Sequence, residues 1–218
     1  SRPPHSPGMV MVGAALLWVG WFGFNGGSQL AADGGAAMAI TVTHISAATA
    51  SLTWALWERI KFGKASLVGI VTGTIAGLAS ITPASGYVGP GGALVIGILA
   101  GFVCYHATVF LKQRLKVDDS LDVFPVQGVG GALGTLLAAV FASAGLGVFS
   151  GQGLAEGMTI ASQFQVQLIG VLASGVYTAI VTFVLLKLID RMLGLRVSQD
   201  EETEGLDLTQ HNERGYDL

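Results

Sequence analysis

Six long apolar stretches, separated by short polar connectors, dominate the hydrophobicity pattern of the chain. A helix needs about 20 apolar residues, with a range of roughly 17 to 25, to cross the hydrocarbon core of a bilayer. The pattern therefore predicts six membrane-spanning helices, of which the third is short and rich in glycine. They run over residues 9–31, 36–57, 66–84, 91–112, 124–147 and 163–190.

The positions of lysine and arginine test this layout independently. All 11 basic residues fall on one side of a six-span arrangement, whereas a different number of spans would scatter them over both faces. The positive-inside rule then predicts that both termini are cytoplasmic. The basic residues are Arg2, Arg59, Lys61, Lys64, Lys112, Arg114, Lys116, Lys187, Arg191, Arg196 and Arg214.

Composition supports a membrane protein over a soluble one. Hydrophobic residues make up 51% of the 218 residues, charged residues only 11%, and the mean hydropathy is +0.64. A soluble domain carries about 25% charged residues. The alternative, a soluble helix bundle, would leave six almost uncharged helices in water. The one cysteine, Cys104, lies in an apolar stretch, so no disulfide framework is expected.

The two ends of the chain differ from its middle. Residues 1–7 have the composition of a connecting loop, and no signal peptide precedes the first apolar stretch, so we expect the chain to begin between two spanning helices. We assign residues 1–197 to a transmembrane domain and residues 198–218 to an acidic cytoplasmic tail. The tail has two interpretations, a disordered segment or a docking segment for a soluble partner. Its acidic residues are Asp200, Glu201, Glu202, Glu204, Asp207, Glu213 and Asp217.

Glycines recur every four residues within three of the predicted spans. Such stripes of small residues let helix backbones approach closely in a membrane, so they predict a compact bundle rather than a binding site. The stripes are Gly69, Gly73 and Gly77, then Gly97 and Gly101, and then Gly130 and Gly134.

The end of the first span carries the side chains best suited to bind a small cation. Aromatic residues near a helix end commonly form an interfacial belt, which is one interpretation of residues 18–24. In the other interpretation, Phe24, Asn25 and Ser28 share a face at a pore mouth. A phenyl ring would supply cation–π attraction, and a hydroxyl would accept a hydrogen bond from the cation.

Three further polar residues, His44, His106 and Gln127, lie within predicted spans, where polar groups are costly and tend to mark function. A single histidine in a span more often serves interhelical hydrogen bonding than proton transfer. We therefore expect His44 and His106 to be structural.

Three aspartates, Asp118, Asp119 and Asp122, cluster at the start of the fifth span. Acidic side chains stabilise a helix N-terminus, which accounts for them without a function. They are equally suited to order the cytoplasmic loop or a pore exit. No phosphate-binding loop, zinc-binding pair of cysteines or metalloprotease motif is present, so an enzyme is not expected.

Several strings, in order along nearly the whole chain, resemble the C-terminal part of the ammonium transporter family, which includes ammonia channels and their Rh relatives. The resemblance implies helices six to eleven of an eleven-helix fold, with a cytoplasmic C-terminus. It also implies a homotrimer in the plasma membrane with one pore per subunit, no cofactor and no nucleic-acid partner. The strings are residues 20–28, 81–89, 117–124, 194–197 and 204–207.

The resemblance also implies roles for particular residues. Ser28 matches the serine of the outer ammonium recruitment site, and Phe24 matches one of two stacked gate phenylalanines. Asp119 and Asp122 match the cytoplasmic loop and pore exit. Gln127 stands where the family has the second of two paired pore histidines, which is a departure from the family pattern.

The tail resembles the segment that this family uses for regulation by PII signal proteins. The match covers Gly205, Leu206, Asp207 and His211, but Asn212 replaces the usual glycine. Three functions follow as hypotheses: transport of ammonium or ammonia, sensing of ammonium through the tail, and conduction of another small solute such as urea or methylamine. Gln127 keeps the sensor hypothesis open.

Overall fold

The computed structural model describes residues 4–216, and this part is entirely helical apart from its turns and loops. The predicted all-α fold is therefore confirmed. By internal contacts the chain divides into two compact units, Ser1–Val171 and Leu172–Leu218. The beginning of the predicted opening loop, with Arg2, and the last two residues of the tail lie outside the described residues.

Six long or medium-length helices account for the apolar stretches. Five of them are long and apolar enough to cross a membrane when the π-helical turns next to α4 and α5 are included. The helices are α1 (Pro7–Gly27), α2 (Gly34–Phe62), α3 (Leu67–Ile81), α4 (Pro90–Val109, continued by a π-helical turn Phe110–Arg114), α5 (Val129–Phe141, preceded by a π-helical turn Phe124–Gly128) and α6 (Ile160–Leu193).

The third predicted span, 66–84, forms a helix of only 15 residues. At 1.5 Å per residue, α3 extends over about 22 Å, less than the roughly 30 Å of a hydrocarbon core. It ends early because Pro83 follows the C-cap Thr82 and cannot continue the helix. Ten of its 15 residues are buried, so most of α3 packs against protein rather than lipid.

Local capping interactions determine where α2 and α3 begin and end. The Asp33 carboxylate accepts hydrogen bonds from the first backbone amides of α2, and Gly63, at φ 76°, ends that helix in the left-handed region. The Ser66 hydroxyl caps α3, and the Glu58 carboxylate accepts the Ser66 amide at 2.7 Å. Glu58 therefore joins the end of α2 to the start of α3.

Small residues allow the helices of the first unit to pack at backbone contact. A methyl group placed on Gly97 of α4 would lie 2.7 Å from the Ser46 carbonyl oxygen of α2. One placed on Gly134 of α5 would overlap the Ser80 carbonyl oxygen of α3. The glycine stripes are therefore packing surfaces, as the sequence predicts.

The helices of the first unit run up and down, so their connectors collect at two ends. The Ser28 end holds the connectors 28–33, 82–89 and 142–159, and the Trp21 indole donates to the Thr82 hydroxyl there at 2.7 Å. The Lys112 end holds the connectors 63–66 and 115–123. Six basic residues lie near the Lys112 end, namely Arg59, Lys61, Lys64, Lys112, Arg114 and Lys116. Among the described residues of the first unit, no lysine or arginine lies at the Ser28 end.

Backbone hydrogen bonds hold the long connector at the Ser28 end. The Gln152 amide donates to the Tyr87 carbonyl at 2.8 Å, and the Gly153 amide donates to the Ala142 carbonyl at 2.7 Å. The Gly151 amide donates to the Ser143 carbonyl at 3.0 Å. This connector is therefore ordered by main-chain contacts.

The second unit contains two short helices after α6, namely α7 (Gln199–Glu204) and α8 (Leu206–His211). Ser198 and Glu201 form a reciprocal capping box at the start of α7. Arg196 pairs with Glu202, and its hydrogen bond lowers the pKa of that carboxyl below the ordinary value. The first part of the predicted tail thus has helical structure, in contrast to the interpretation as a disordered segment.

Candidate functional site

Ser28 and Phe24 lie one helical turn apart at the end of α1, and both side chains are exposed. The Ser28 hydroxyl donates a hydrogen bond to the Phe24 carbonyl oxygen at 2.7 Å. Because its proton is used in this bond, the hydroxyl oxygen keeps its lone pairs for an incoming donor. The geometry therefore provides a hydrogen-bond acceptor one helical turn from the residue that carries an exposed phenyl ring.

Asn25 does not share that exposed face, which corrects one expectation from the sequence. Its side chain is only 2% exposed, and its Nδ2 donates to the Thr43 hydroxyl of α2 at 2.9 Å. Thr43 donates in turn to the Ala39 carbonyl, so its oxygen is free to accept from Asn25. Asn25 therefore fastens the end of α1 to α2 and holds Phe24 on the opposite, exposed side.

A small cavity adjoins Ser28 at the same end of the first unit. It has a volume of about 190 Å³, and the polar residues that line it are Asn25, Ser28, Gln29, Thr82, Ser85 and Tyr87. The buried Asn25 therefore borders this cavity, although it is absent from the exposed face of Phe24. Hydroxyl and amide groups of this kind can replace part of the hydration shell of a small polar cation. The cavity is large enough for a few water-sized molecules.

Below Ser28, the exposed side of α1 is apolar. Phe24 packs edge-to-face against Trp21, with ring centroids 6.3 Å apart. These rings continue into a groove of about 560 Å³ lined by Leu16, Leu17 and Gly20. A solute leaving the polar cavity along this side of α1 would therefore pass from hydroxyl groups to aromatic and aliphatic surface.

Asp33, at the same end, adds a negative charge. Its carboxylate accepts backbone hydrogen bonds from Ala36 and Gly35 and a side-chain bond from Gln29. These bonds, with the Ala36 amide first, lower the pKa of Asp33 below its ordinary value. The carboxyl therefore stays ionised at neutral pH and favours cations near this end.

Gln127 lies toward the other end of the first unit, on the π-helical turn that opens α5. Its side chain is exposed, whereas its neighbours Pro125 and Val126 are buried. π-Helical turns often occur at functional positions. Gln127 and Ser28 thus belong to opposite ends, so any common path must run along the length of the helices.

The aspartates before α5 divide into distinct roles. Asp119 caps the helix, because its carboxylate accepts the Val123 amide at 3.0 Å and the Phe124 amide at 2.8 Å. Asp122 pairs with Lys112, with 2.6 Å between Oδ1 and Nζ. Asp118 is exposed. The sequence did not indicate Lys112, because nothing in its spacing shows that it reaches across the connector.

The two intramembrane histidines lie apart from these groups. His44 is exposed and contacts the Trp18 ring, with centroids 5.2 Å apart. The His106 Nδ1 lies 2.8 Å from the Phe102 carbonyl oxygen, so it carries the proton in this contact. The His106 ring also lies against Trp57. Among the described residues, neither ring is in contact with Ser28 or Gln127. The bond of His106 stays within α4, so the expectation of interhelical hydrogen bonding stays a prediction.

The described residues, 4–216, include no group of three or more acidic, histidine or cysteine side chains placed to hold a metal ion. What these residues do provide is a set of apolar helices with a polar cavity at one end and an ion pair at the other. Helices of this length and composition, packed through small residues, define a polytopic α-helical membrane protein.

The chain belongs to the Ammonium Transporter Family, whose sequence profile matches residues 1–216. It is 46% identical over 216 residues to a putative ammonium transporter of Methanothermobacter thermautotrophicus, covering 99% of this chain and 53% of that protein. It is 41% identical over 213 residues to an ammonium transporter of Bacillus subtilis, covering 98% of this chain and 52% of that protein.

Solved structures agree with this assignment. A protein described as Sensor Amt Protein superimposes with a TM-score of 0.86 at 30% identity, over 94% of this chain and 49% of that one. Mep2 of Saccharomyces cerevisiae superimposes with a TM-score of 0.80 at 38% identity, over 91% of this chain and 46% of Mep2. The chain thus spans about half the length of the curated relatives and structures that it matches.

Proposed function

We propose that these helices form part of a transport path for ammonium or ammonia, with Ser28 at the recruitment site and Phe24 at the gate. The observation that carries the proposal is the Ser28 hydroxyl, which donates to the Phe24 carbonyl and so presents an acceptor one helical turn from the residue that carries an exposed ring. The names of the relatives, which are ammonium transporters, support the same substrate.

The order of groups along α1 suits this substrate chemically. Ammonium carries charge and four directional donors, so hydroxyl acceptors, an aromatic face and the Asp33 carboxylate can offset its loss of hydration. Further along, the apolar groove disfavours the charged form of an amine. Ammonium therefore gives up its proton to solvent water at the Ser28 end, and neutral ammonia crosses the apolar segment.

The assembly and orientation are part of the same proposal. We propose that the Lys112 end and the C-terminus are cytoplasmic in a multi-pass plasma-membrane protein, because the positive-inside rule favours basic residues on that side. Since the chain covers about half of its relatives, a complete path needs the preceding helices, and the family resemblance favours a homotrimer. Residues 198–218 form a contact for a PII signal protein, so their deletion should abolish PII binding or alter transport.

Sensing is the second candidate function. It draws on the similarity to the protein described as Sensor Amt Protein and on Gln127, which replaces a titratable imidazole by a group that cannot exchange a proton near neutral pH. A sensor would bind ammonium at the Ser28 end but pass little of it. Uptake measurements therefore separate the two functions.

The test is methylammonium uptake by the full-length protein in cells that lack other ammonium transporters. Ser28→Ala removes one acceptor for a charged donor, a bond that contributes roughly 1.5–3 kcal/mol, so the apparent affinity should fall about 10- to 150-fold. Thr41→Ala is a matched control, because Thr41 is also exposed and also donates to a carbonyl one turn earlier, that of Ala37.

If Ser28→Ala left the apparent affinity of uptake unchanged, the assignment of Ser28 to the recruitment site would be wrong. Equal losses in the Ser28 and Thr41 variants would indicate a general effect of removing a helix hydroxyl. Tight binding of ammonium without uptake by the unsubstituted protein would favour the sensor function.

A further inference from the structure

The connector between α4 and α5 has an irregular backbone. A π-helical turn precedes it at Phe110–Arg114 and another follows it at Phe124–Gly128. Between them, Lys116 at φ 52° and Asp122 at φ 56° adopt left-handed conformations without being glycine. Such conformations persist only where the surrounding structure holds them, and they concentrate at functional sites.

The side chain of Asp122 forms an ion pair with Lys112, and its backbone amide donates a longer hydrogen bond, of 3.4 Å, to the Asp119 carbonyl. The side chains of Lys112 and Asp122 are 30% and 15% exposed, so salt screens this pair less than a surface pair. The Oδ1–Nζ approach of 2.6 Å is not aligned as a hydrogen bond, so the attraction is mainly between charges. Asp119 holds the start of α5 separately, through the amides of Val123 and Phe124.

Asp122 is linked directly to the turn that carries Gln127. The Asp122 carbonyl accepts the Val126 amide at 3.0 Å, and the Val126 side chain is only 2% exposed. Gln127 follows Val126 in the chain. Its position therefore depends on where Asp122 is held, and Lys112 connects Asp122 to the end of α4.

We propose that the Lys112–Asp122 ion pair, here called the clamp, positions the Gln127 turn at the Lys112 end of the transport path. Lys112 acts as a positioning residue, because it acts on the solute through Asp122 and the backbone of the π-helical turn. It also lines a polar cavity of about 390 Å³ beside the connector. The role of the clamp in conduction rests on the proposed transport function, whereas its hold on the turn does not.

The first test needs no transport. Hydrogen exchange of the amides of residues 123–129, in the purified full-length protein, reports how firmly the turn is held. Lys112→Met should raise the exchange rate of this segment about tenfold or more, and Lys112→Arg, which keeps the pair, should restore slow exchange. Lys116→Met is the matched control, because Lys116 is an exposed lysine of the same connector and should leave the rate unchanged.

The second test is methylammonium uptake, normalised to the amount of folded protein. Lys112→Met should lower the maximal uptake rate. It should change the apparent affinity by less than about twofold, because the affinity is set by Ser28 at the other end. The charge-swapped pair, Lys112→Asp with Asp122→Lys, should recover part of both readouts.

The outcomes separate the clamp from the transport function. If Lys112→Met did not alter the hydrogen-exchange rate of residues 123–129, the proposal of the clamp would be overturned and the proposed transport function would be unaffected. Faster exchange with a normal uptake rate would limit the pair to folding and would also overturn the proposal. Faster exchange in a protein that shows no uptake at all would overturn transport and leave the clamp as the anchor of the Gln127 turn.

Discussion

Among the described glycines, Gly134 of α5 is the one where an added methyl group would come nearest to another backbone, that of Ser80 in α3, so this contact should respond sharply to one methyl group. In Gly134→Ala the new Cβ would overlap the Ser80 carbonyl oxygen and lie 2.7 Å from its carbonyl carbon and 3.0 Å from its Cα. These atoms belong to the backbone of a buried helix, so no side-chain rotation relieves the contact, and α5 must move away from α3.

The expected loss in the free energy of unfolding follows from the kind of atom that the new methyl group contacts. Overpacking a core costs typically 1–3 kcal/mol, and a clash with backbone puts Gly134→Ala near the upper value, about 3 kcal/mol. For a protein of about 200 residues this lowers the apparent melting temperature by about 6–12 °C. At Gly130 the new methyl would instead meet the Ser80 hydroxyl at 2.9 Å and the Cys104 sulfur at 3.2 Å, so Gly130→Ala should cost less.

Gly131 provides a matched control in the same helix. A methyl group there would have no neighbour within 4 Å, and alanine favours a helix over glycine by roughly 1 kcal/mol, so Gly131→Ala should leave stability equal or higher. Thermal unfolding of the detergent-purified variants, followed by tryptophan fluorescence, measures all three. The reasoning would be refuted if Gly134→Ala had the same melting temperature as the unsubstituted protein. It would also be refuted if Gly131→Ala lowered the melting temperature as much as Gly134→Ala.

Three further predictions concern orientation, conduction and the tail. A cysteine at Gly86 should react with an impermeant thiol reagent from outside the cell and one at Gly63 should not, and the reverse pattern would contradict the orientation. Gln127→His should increase ammonium-dependent current, since imidazole can relay a proton, and equal transport by the glutamine, histidine and alanine proteins would exclude this position from the path. Because Arg196 lowers the pKa of Glu202, their pairing should stabilise α7 at neutral pH and lose its effect as the pH falls below about 4.5. Carbon chemical shifts of residues 199–204 would follow this change, and pH-independent shifts would show that the pair does not stabilise α7.

The sequence predicts most of the fold because the apolar stretches are long and the glycine stripes regular. It predicts the end of α3 less well, since a helix that packs mostly against protein can be shorter than the bilayer. Asn25 shows a second limit: helical periodicity places it next to Phe24, but only the Thr43 hydroxyl of another helix determines that it points inward. The Ser28 acceptor was predictable by residue type, although its bond to Phe24 was not.

Lys112 shows a third limit of prediction from sequence. Its partner Asp122 lies ten residues further on. Lys112 belongs to one π-helical turn, Asp122 precedes another, and Lys116 and Asp122 are left-handed; none of these features has a reliable pattern in a single sequence. From the sequence alone, the positive charge of Lys112 indicates only that it belongs to the basic face of the bundle. A pairing that depends on irregular backbone becomes visible only when the connector is folded.

The main-chain bonds that order the connector 142–159 have a consequence for engineering. Because Gln152, Gly151 and Gly153 use backbone amides for these bonds, an exposed side chain of the connector that makes no contact of its own can change without loss of its shape. This does not extend to Ser150, whose hydroxyl bonds the Leu146 amide and the Ala144 carbonyl, or to Gly151, where a Cβ would meet backbone oxygens. Val148, whose side chain is 80% exposed, lies in the short 3₁₀ turn Gly147–Phe149 at the surface of the connector. Replacement of Val148 by a cysteine or an unnatural amino acid would thus attach a fluorophore or an affinity label at the Ser28 end without disturbing the helices.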